Sequence, residues 1–117
     1  HWLFDRQTAQ VLFGIVDGKE VGFALYFFNF STFLGKGGLY LEDLYILPEF
    51  RGRGYGHSFF HQLARVAVQE GCGRMEWCCL DWNLPSIGFY QSLGARPMSE
   101  WTTYRLTGPD LQKLASP

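Results

Sequence analysis

Two apolar runs open the chain, Val11–Val16 and Val21–Phe30, and both read as β-strands. Between them "DGKE", Asp17–Glu20, reads as a hairpin turn in which Gly18 supplies the positive φ. Ser31–Gly38 contains Gly35, Gly37 and Gly38 and reads as a loop. Leu39–Leu47 is a third strand, ended by Pro48. The period then changes. From Gly54 or Tyr55 to about Glu70, Phe59, Leu63, Val66 and Ala67 recur at i, i+4, i+7 and i+8, the apolar stripe of a helix that Gly71 and Gly73 stop. Met75–Leu80 is a fourth strand. "NLPSIGFY" starts a short helix, with Asn83 as N-cap, Pro85 in the first turn and Gly94 at the end. Thr102–Leu106 reads as a last strand, and Thr107 with Asp110 as a capping box for a closing helical turn.

This order is β-β-β-α-β-α-β. The central strand–helix–strand unit implies a parallel pair joined by a right-handed crossover, and the opening hairpin implies antiparallel pairing. The predicted fold class is α/β in the broad sense, an α+β arrangement of one mixed sheet covered by helices, in a single domain over residues 1–117. At 117 residues, 47% of them hydrophobic, the chain has material for one core. A formal charge of −1, with no basic cluster beyond the Arg51/Arg53 pair, argues against a nucleic-acid partner. No apolar run approaches the roughly 20 residues of a membrane span, and no signal-peptide pattern is present. Three cysteines without a C-x-x-C or a Cys/His set predict no metal site, and buried free thiols in a reducing cytoplasm.

One stretch resists this plain reading: "LYLEDLYILPEFRGRGYGHSFF", Leu39–Phe60. Strand alternation puts Tyr40, Glu42, Leu44 and Ile46 on one face and Leu39, Leu41, Asp43, Tyr45 and Leu47 on the other. Both faces are otherwise apolar, so the strand should be covered on both sides, yet burying an unpaired carboxylate costs several kcal/mol. Either the sheet opens here or each carboxylate has a buried donor. The "RGRGYG" that follows offers backbone N–H groups, a helix N-terminus and two arginines to an anion, and a phosphate is the physical expectation. No Walker A motif is present. Gly52 and Gly54 begin a G-x-G-x-x-G pattern whose third position falls on His57, which leaves a dinucleotide-binding oxidoreductase as a weaker alternative.

Arg51, Gly54 and Gly56 fit [RQ]-x-x-G-x-[GA] at a strand–helix junction, and together with Glu42, Asp43 and Asn83…Tyr90 in that order the chain resembles the GNAT N-acetyltransferase superfamily. "LYLEDLYILPEFRGRGYG", "DWNLPSIGFYQSLGA" and "VGFALYFF" resemble its spermidine/spermine and thialysine acetyltransferase branch. The resemblance implies a splayed mixed sheet whose strands part between Leu39–Leu47 and Met75–Leu80, with acetyl-CoA in the gap. It implies that backbone groups of Leu44, Tyr45 and Ile46 pair with the pantetheine arm. The backbone of Arg51, Gly52, Arg53, Gly54, Tyr55, Gly56 and His57 is expected to hold the pyrophosphate, and Asn83 to touch the cofactor arm. Tyr90 matches the general acid for the departing thiolate, Glu42 the acceptor of the amine proton, and Asp43 a contact for a cationic substrate. The resemblance also implies a homodimer, acting on a small-molecule amine. Only "HWLFDRQTA" precedes the hairpin, so the usual first strand and helices are missing and the chain reads as N-terminally truncated. "PMSEWTTYRL" offers Glu100 as its one acid, which leaves polyamine, diamine, amino-acid and thialysine-like acceptors all open. A binding or assembly module that holds acyl-CoA without turnover is the other alternative.

Overall fold

The computed structural model describes residues 8–32 and 34–117. The segment before the first hairpin, expected to be the tail of a helical region, therefore lies largely outside the described residues. The chain divides into two compact units, His1–Cys78 and Cys79–Pro117.

The first unit holds a four-stranded sheet in the order β1 (Gln10–Val16), β2 (Lys19–Ser31), β3 (Lys36–Ile46) and β4 (Arg74–Trp77). β1–β2 and β2–β3 are antiparallel, and β3–β4 is parallel. Asp17 and Gly18 both adopt positive φ, 51° and 75°, the geometry of a two-residue hairpin turn that follows the twist of its strands. With one parallel pairing beside two antiparallel ones, this is a mixed sheet and not a doubly wound dinucleotide fold.

Helix α1 (Tyr55–Gln69) supplies the crossover between β3 and β4. It buries Phe59, Phe60, Leu63 and Ala67, while the sheet contributes Val21, Ala24, Tyr26, Leu39 and Leu41. Leu39 and Leu63 are wholly buried, so the centre of this core is the contact of β3 with α1. Phe60, absent from the predicted stripe, joins it through an edge-on contact with Trp77 at 4.8 Å between ring centres. The helix closes as the sequence indicates: Gly71 N–H reaches Val68 O, and Cys72 N–H reaches Ala67 O.

Several predicted boundaries move. β2 and β3 run to Ser31 and from Lys36, so the loop shrinks to residues 32–35. Gly37 and Gly38 are strand residues paired with Phe30 and Asn29. The fourth strand covers Arg74–Trp77 and not Met75–Leu80, because β3 and the chain after Trp77 no longer pair. The second unit holds α2 (Leu84–Ser92) and α3 (Gly108–Ala115). Residues 102–106 form no strand: their alternation finds no ladder partner among the described residues. Thr107 is the N-cap of α3, but its side chain makes no capping hydrogen bond, so the expected capping box is not closed. No helix among the described residues is long and apolar enough to cross a membrane.

Candidate active site

What β3 presents is decided by one irregularity. Leu25 pairs with Asp43 and Tyr26 with Leu41, so Glu42 has no partner on β2. It is the surplus residue of a β-bulge. This corrects the alternation read from sequence. Up to Leu41 the odd positions face the core; past the bulge the even positions Leu44 and Ile46 take over, opposite Ala24 and Gly22. The other face carries Tyr40 against Phe27 (5.1 Å between ring centres) and Tyr45 against Phe23 (5.9 Å), with Asp43 between them.

The β3–β4 pairing ends at the same place. The β3–β4 ladder stops at Leu41 and Trp77, whereas β3 continues to Ile46. The edge Glu42–Ile46 thus has β2 on one side and, among the described residues, no ladder partner on the β4 side. Glu42 and Asp43 are exposed. The burial penalty that made them puzzling does not arise, because the strand that should have been dry is open where they stand.

The end of β3 runs through a 3-10 turn, Pro48–Phe50, into the glycine loop. Arg51 ties that loop back onto the strand. Its Nε donates to Ile46 O at 2.8 Å, its guanidinium lies 5.4 Å from the Tyr45 ring centre, and its N–H donates to Pro48 O at 3.3 Å. Of the backbone donors expected from Arg51 to His57, the first is therefore engaged within the turn. Arg53 lies 5.5 Å from the Phe50 ring centre. Gly52 and Gly54 adopt positive φ, 77° and 83°, and Gly54 is the N-cap of α1 without a side chain to bond the first turn. The amides of Tyr55 and Gly56 belong to that first turn, and the helix dipole adds to the attraction for an anion. His57 is exposed beside them.

In the second unit, Asn83 caps α2, its Oδ1 accepting from Ser86 N–H at 3.4 Å. Tyr90 stands one turn beyond Ser86. Burial pushes its phenol above the ordinary value of 10.0, the nearby Cys79 adds to this, and a hydrogen bond with Ser86 opposes it. The phenol is held protonated at neutral pH, the form a proton donor needs.

Sequence reasoning missed Tyr40 and Cys78. Their side chains meet at 2.8 Å between Oη and Sγ. That hydrogen bond, then burial, then the charges of Cys78, Glu42 and Glu76, push the Tyr40 phenol up to about 12. Cys78 is exposed and not a buried thiol; Cys72 and Cys79 are half-buried. The one available signal was the spacing Glu76–Cys78, which puts both residues on one side of a strand, but the partner across the sheet required the register.

A model of the acetyltransferase (GNAT) family matches residues 1–95. L-ornithine N5-acetyltransferase of Arabidopsis thaliana is 42% identical over 98 residues, covering 84% of this chain and 43% of that protein. Thialysine N-epsilon-acetyltransferase of Sus scrofa is 40% identical over 98 residues, covering 81% and 57% respectively. The chain spans about half the length of the curated relatives it matches. Among solved structures, an integron cassette protein from the mobile metagenome of V. cholerae superposes with a TM-score of 0.89 at 31% identity, covering 100% of this chain and 73% of that one.

Proposed function

The chain belongs to the acetyltransferase (GNAT) family, and from that premise we propose that it transfers an acetyl group from acetyl-CoA to a primary amine of a small cationic acceptor. One observation carries the reading: the open edge Glu42–Ile46 leads directly into the glycine loop at the N-terminus of α1. A long ligand with a hydrogen-bonding arm at one end and a diphosphate at the other matches that sequence of surfaces. Leu44, Tyr45 and Ile46 would meet the arm through their backbone groups, and Gly52, Arg53, Gly54, Tyr55, Gly56 and His57 the pyrophosphate, with Arg51 holding the loop in place. Asn83, already the N-cap of α2, would contact the arm. Acetyl-CoA supplies an activated acyl group on a thiol that can depart.

The chain's own residues handle protons. A lysine-like ammonium has a pKa of about 10.4, so only about one molecule in a few thousand is nucleophilic at neutral pH. Glu42, on the bulge and exposed, would take that proton, directly or through water, and Asp43 would hold the cation nearby. Tyr90, held protonated, would donate to the departing thiolate. The acceptor is expected to be an amino acid or diamine with a terminal amine, as the names of the ornithine and thialysine relatives suggest.

The test is thiol release from acetyl-CoA across ornithine, thialysine, diamines and polyamines. Amine-dependent release is expected, with Glu42→Gln lower by on the order of a hundredfold at neutral pH and recovering at high pH, where the amine arrives deprotonated. Calorimetric binding of acetyl-CoA with no release to any amine would replace transfer by simple acyl-CoA binding.

A further inference from the structure

The β3–β4 ladder ends at Leu41 and Trp77, so Cys78 is tied to β3 by no ladder bond. Tyr40 lies just before that end and pairs with Glu76. Cys78 is two residues past Glu76, on the same side of an extended chain and one step outside the ladder. The Tyr40 hydroxyl therefore reaches from the paired part of β3 to the first residue that has left the sheet, where it meets Sγ at 2.8 Å. The ring is itself held from the other side by Phe27 of β2, at 5.1 Å and 32°. A line of contacts thus crosses the sheet, Phe27–Tyr40–Cys78, and ends just past the last rung of the ladder.

We propose that the Tyr40–Cys78 hydrogen bond is a clasp that holds Cys78 against β3 just past the last rung of the ladder, making Tyr40 a positioning residue for acetyl-CoA. This rests on the acetyl-CoA reading above. Tyr40 acts through Cys78, and not by touching the reacting atoms. Two features fit this role. The phenol stays protonated well above neutral pH, so Tyr40 keeps its hydrogen-bonding proton there. The ion pair between Arg74 Nε and Glu76 Oε1, 3.2 Å and partly exposed, lies within the ladder and does not reach Cys78.

The experiment compares wild type, Tyr40→Phe, Cys78→Ala, Cys78→Ser and the Tyr40→Phe/Cys78→Ala double variant. Acetyl-CoA affinity is read by calorimetry and kcat by thiol release. Tyr40→Phe keeps the ring and its Phe27 contact. Each loss of the clasp should raise the Kd for acetyl-CoA by roughly two- to tenfold, the worth of one hydrogen bond, while kcat at saturation changes less. The double variant should be no worse than either single, and Cys78→Ser, which retains a hydrogen-bonding group, should restore most of the affinity. Alkylation of Cys78 by iodoacetamide, followed by peptide mass spectrometry, should be faster in Tyr40→Phe than in wild type. Wild-type affinity in Tyr40→Phe, additive losses, or equal alkylation rates would overturn the clasp and leave the acetyl-CoA reading intact. Failure of the wild-type protein to bind acetyl-CoA would overturn that reading and the positioning role with it.

Discussion

Gly54 and Gly56 sit two residues apart in one motif, and replacing each by alanine should move stability in opposite directions. Gly54 is the N-cap of α1 at φ 83° and ψ 7°. A Cβ there would meet nothing within 4 Å, so the cost is purely conformational. A non-glycine residue in the left-handed region costs about 1–2 kcal/mol. The stiffer unfolded chain returns about 0.4–1 kcal/mol, leaving a net loss of about 1 kcal/mol. Gly56 is already helical, and its Cβ would stand 3.8 Å from Ile46 Cδ1, an ordinary contact. Gly56→Ala should therefore stabilise by about 0.5–1 kcal/mol. Urea unfolding reads both. With a slope of about 1.5 kcal/mol/M the midpoints should part by roughly 1 M, one on each side of wild type. Acetyl-CoA affinity should follow Gly54 and not Gly56, since only the first substitution redirects the first-turn amides. A Gly56→Ala protein less stable than wild type, or a Gly54→Ala protein equal to it, would mean that backbone conformation does not set these two costs. The asymmetry also gives a physical reason why the motif accepts alanine at its last position and not at the one before.

Gly22→Ala should cost about 1–3 kcal/mol, because a Cβ there would overlap the Tyr45 carbonyl oxygen and come 3.0 Å from Ile46 Cα, backbone that cannot yield without separating β2 from β3; an unchanged urea midpoint would count against this. Tyr90→Phe should lower kcat by about ten- to a hundredfold with acetyl-CoA affinity retained, and an unchanged kcat would remove the acid role. The folded-state pKa of Tyr40 is raised, so its contribution to stability is fully present below 10 and is lost as pH rises through about 12. Tyrosinate absorbance should show a late-titrating phenol that Tyr40→Phe abolishes; its persistence would mean another residue carries it.

Much of the architecture was legible because periodicity reports burial directly. Phe59, Leu63 and Ala67 announced α1 and its buried face, and "DGKE" announced the hairpin, whose turn takes only its first two residues, Asp17 and Gly18. What was hidden depends on pairing. "LYLEDLY" alternates equally well in either phase, and only the register with β2 shows that the phase changes at Glu42. Gly37 and Gly38 look like loop breakers, yet they pair with β2, and a Cβ on Gly38 would come 2.5 Å from Asn29 Oδ1. Thr102–Leu106 has strand-like residues but no ladder partner among the described residues. The candidate site was legible as a set of residues through the motif order, and not as geometry. That Arg51 spends its Nε on Ile46 O, and that Tyr40 reaches Cys78, could not be counted off the chain.

The bulge makes β3 resemble a message with an extra letter. Deleting almost any other residue of the strand would shift the frame of everything on one side of it, sending Leu39 and Leu41, or Leu44 and Ile46, out of the core. Deleting Glu42 alone would restore the frame: Leu41 would be followed by Asp43 and Leu44 in unbroken alternation against Tyr26, Leu25 and Ala24. Such a shortened chain is expected to unfold in urea no more easily than the parent while losing amine-dependent thiol release; a lower midpoint would show that the surplus residue had been needed for folding. On this view the carboxylate is an insertion the fold could discard and the chemistry could not.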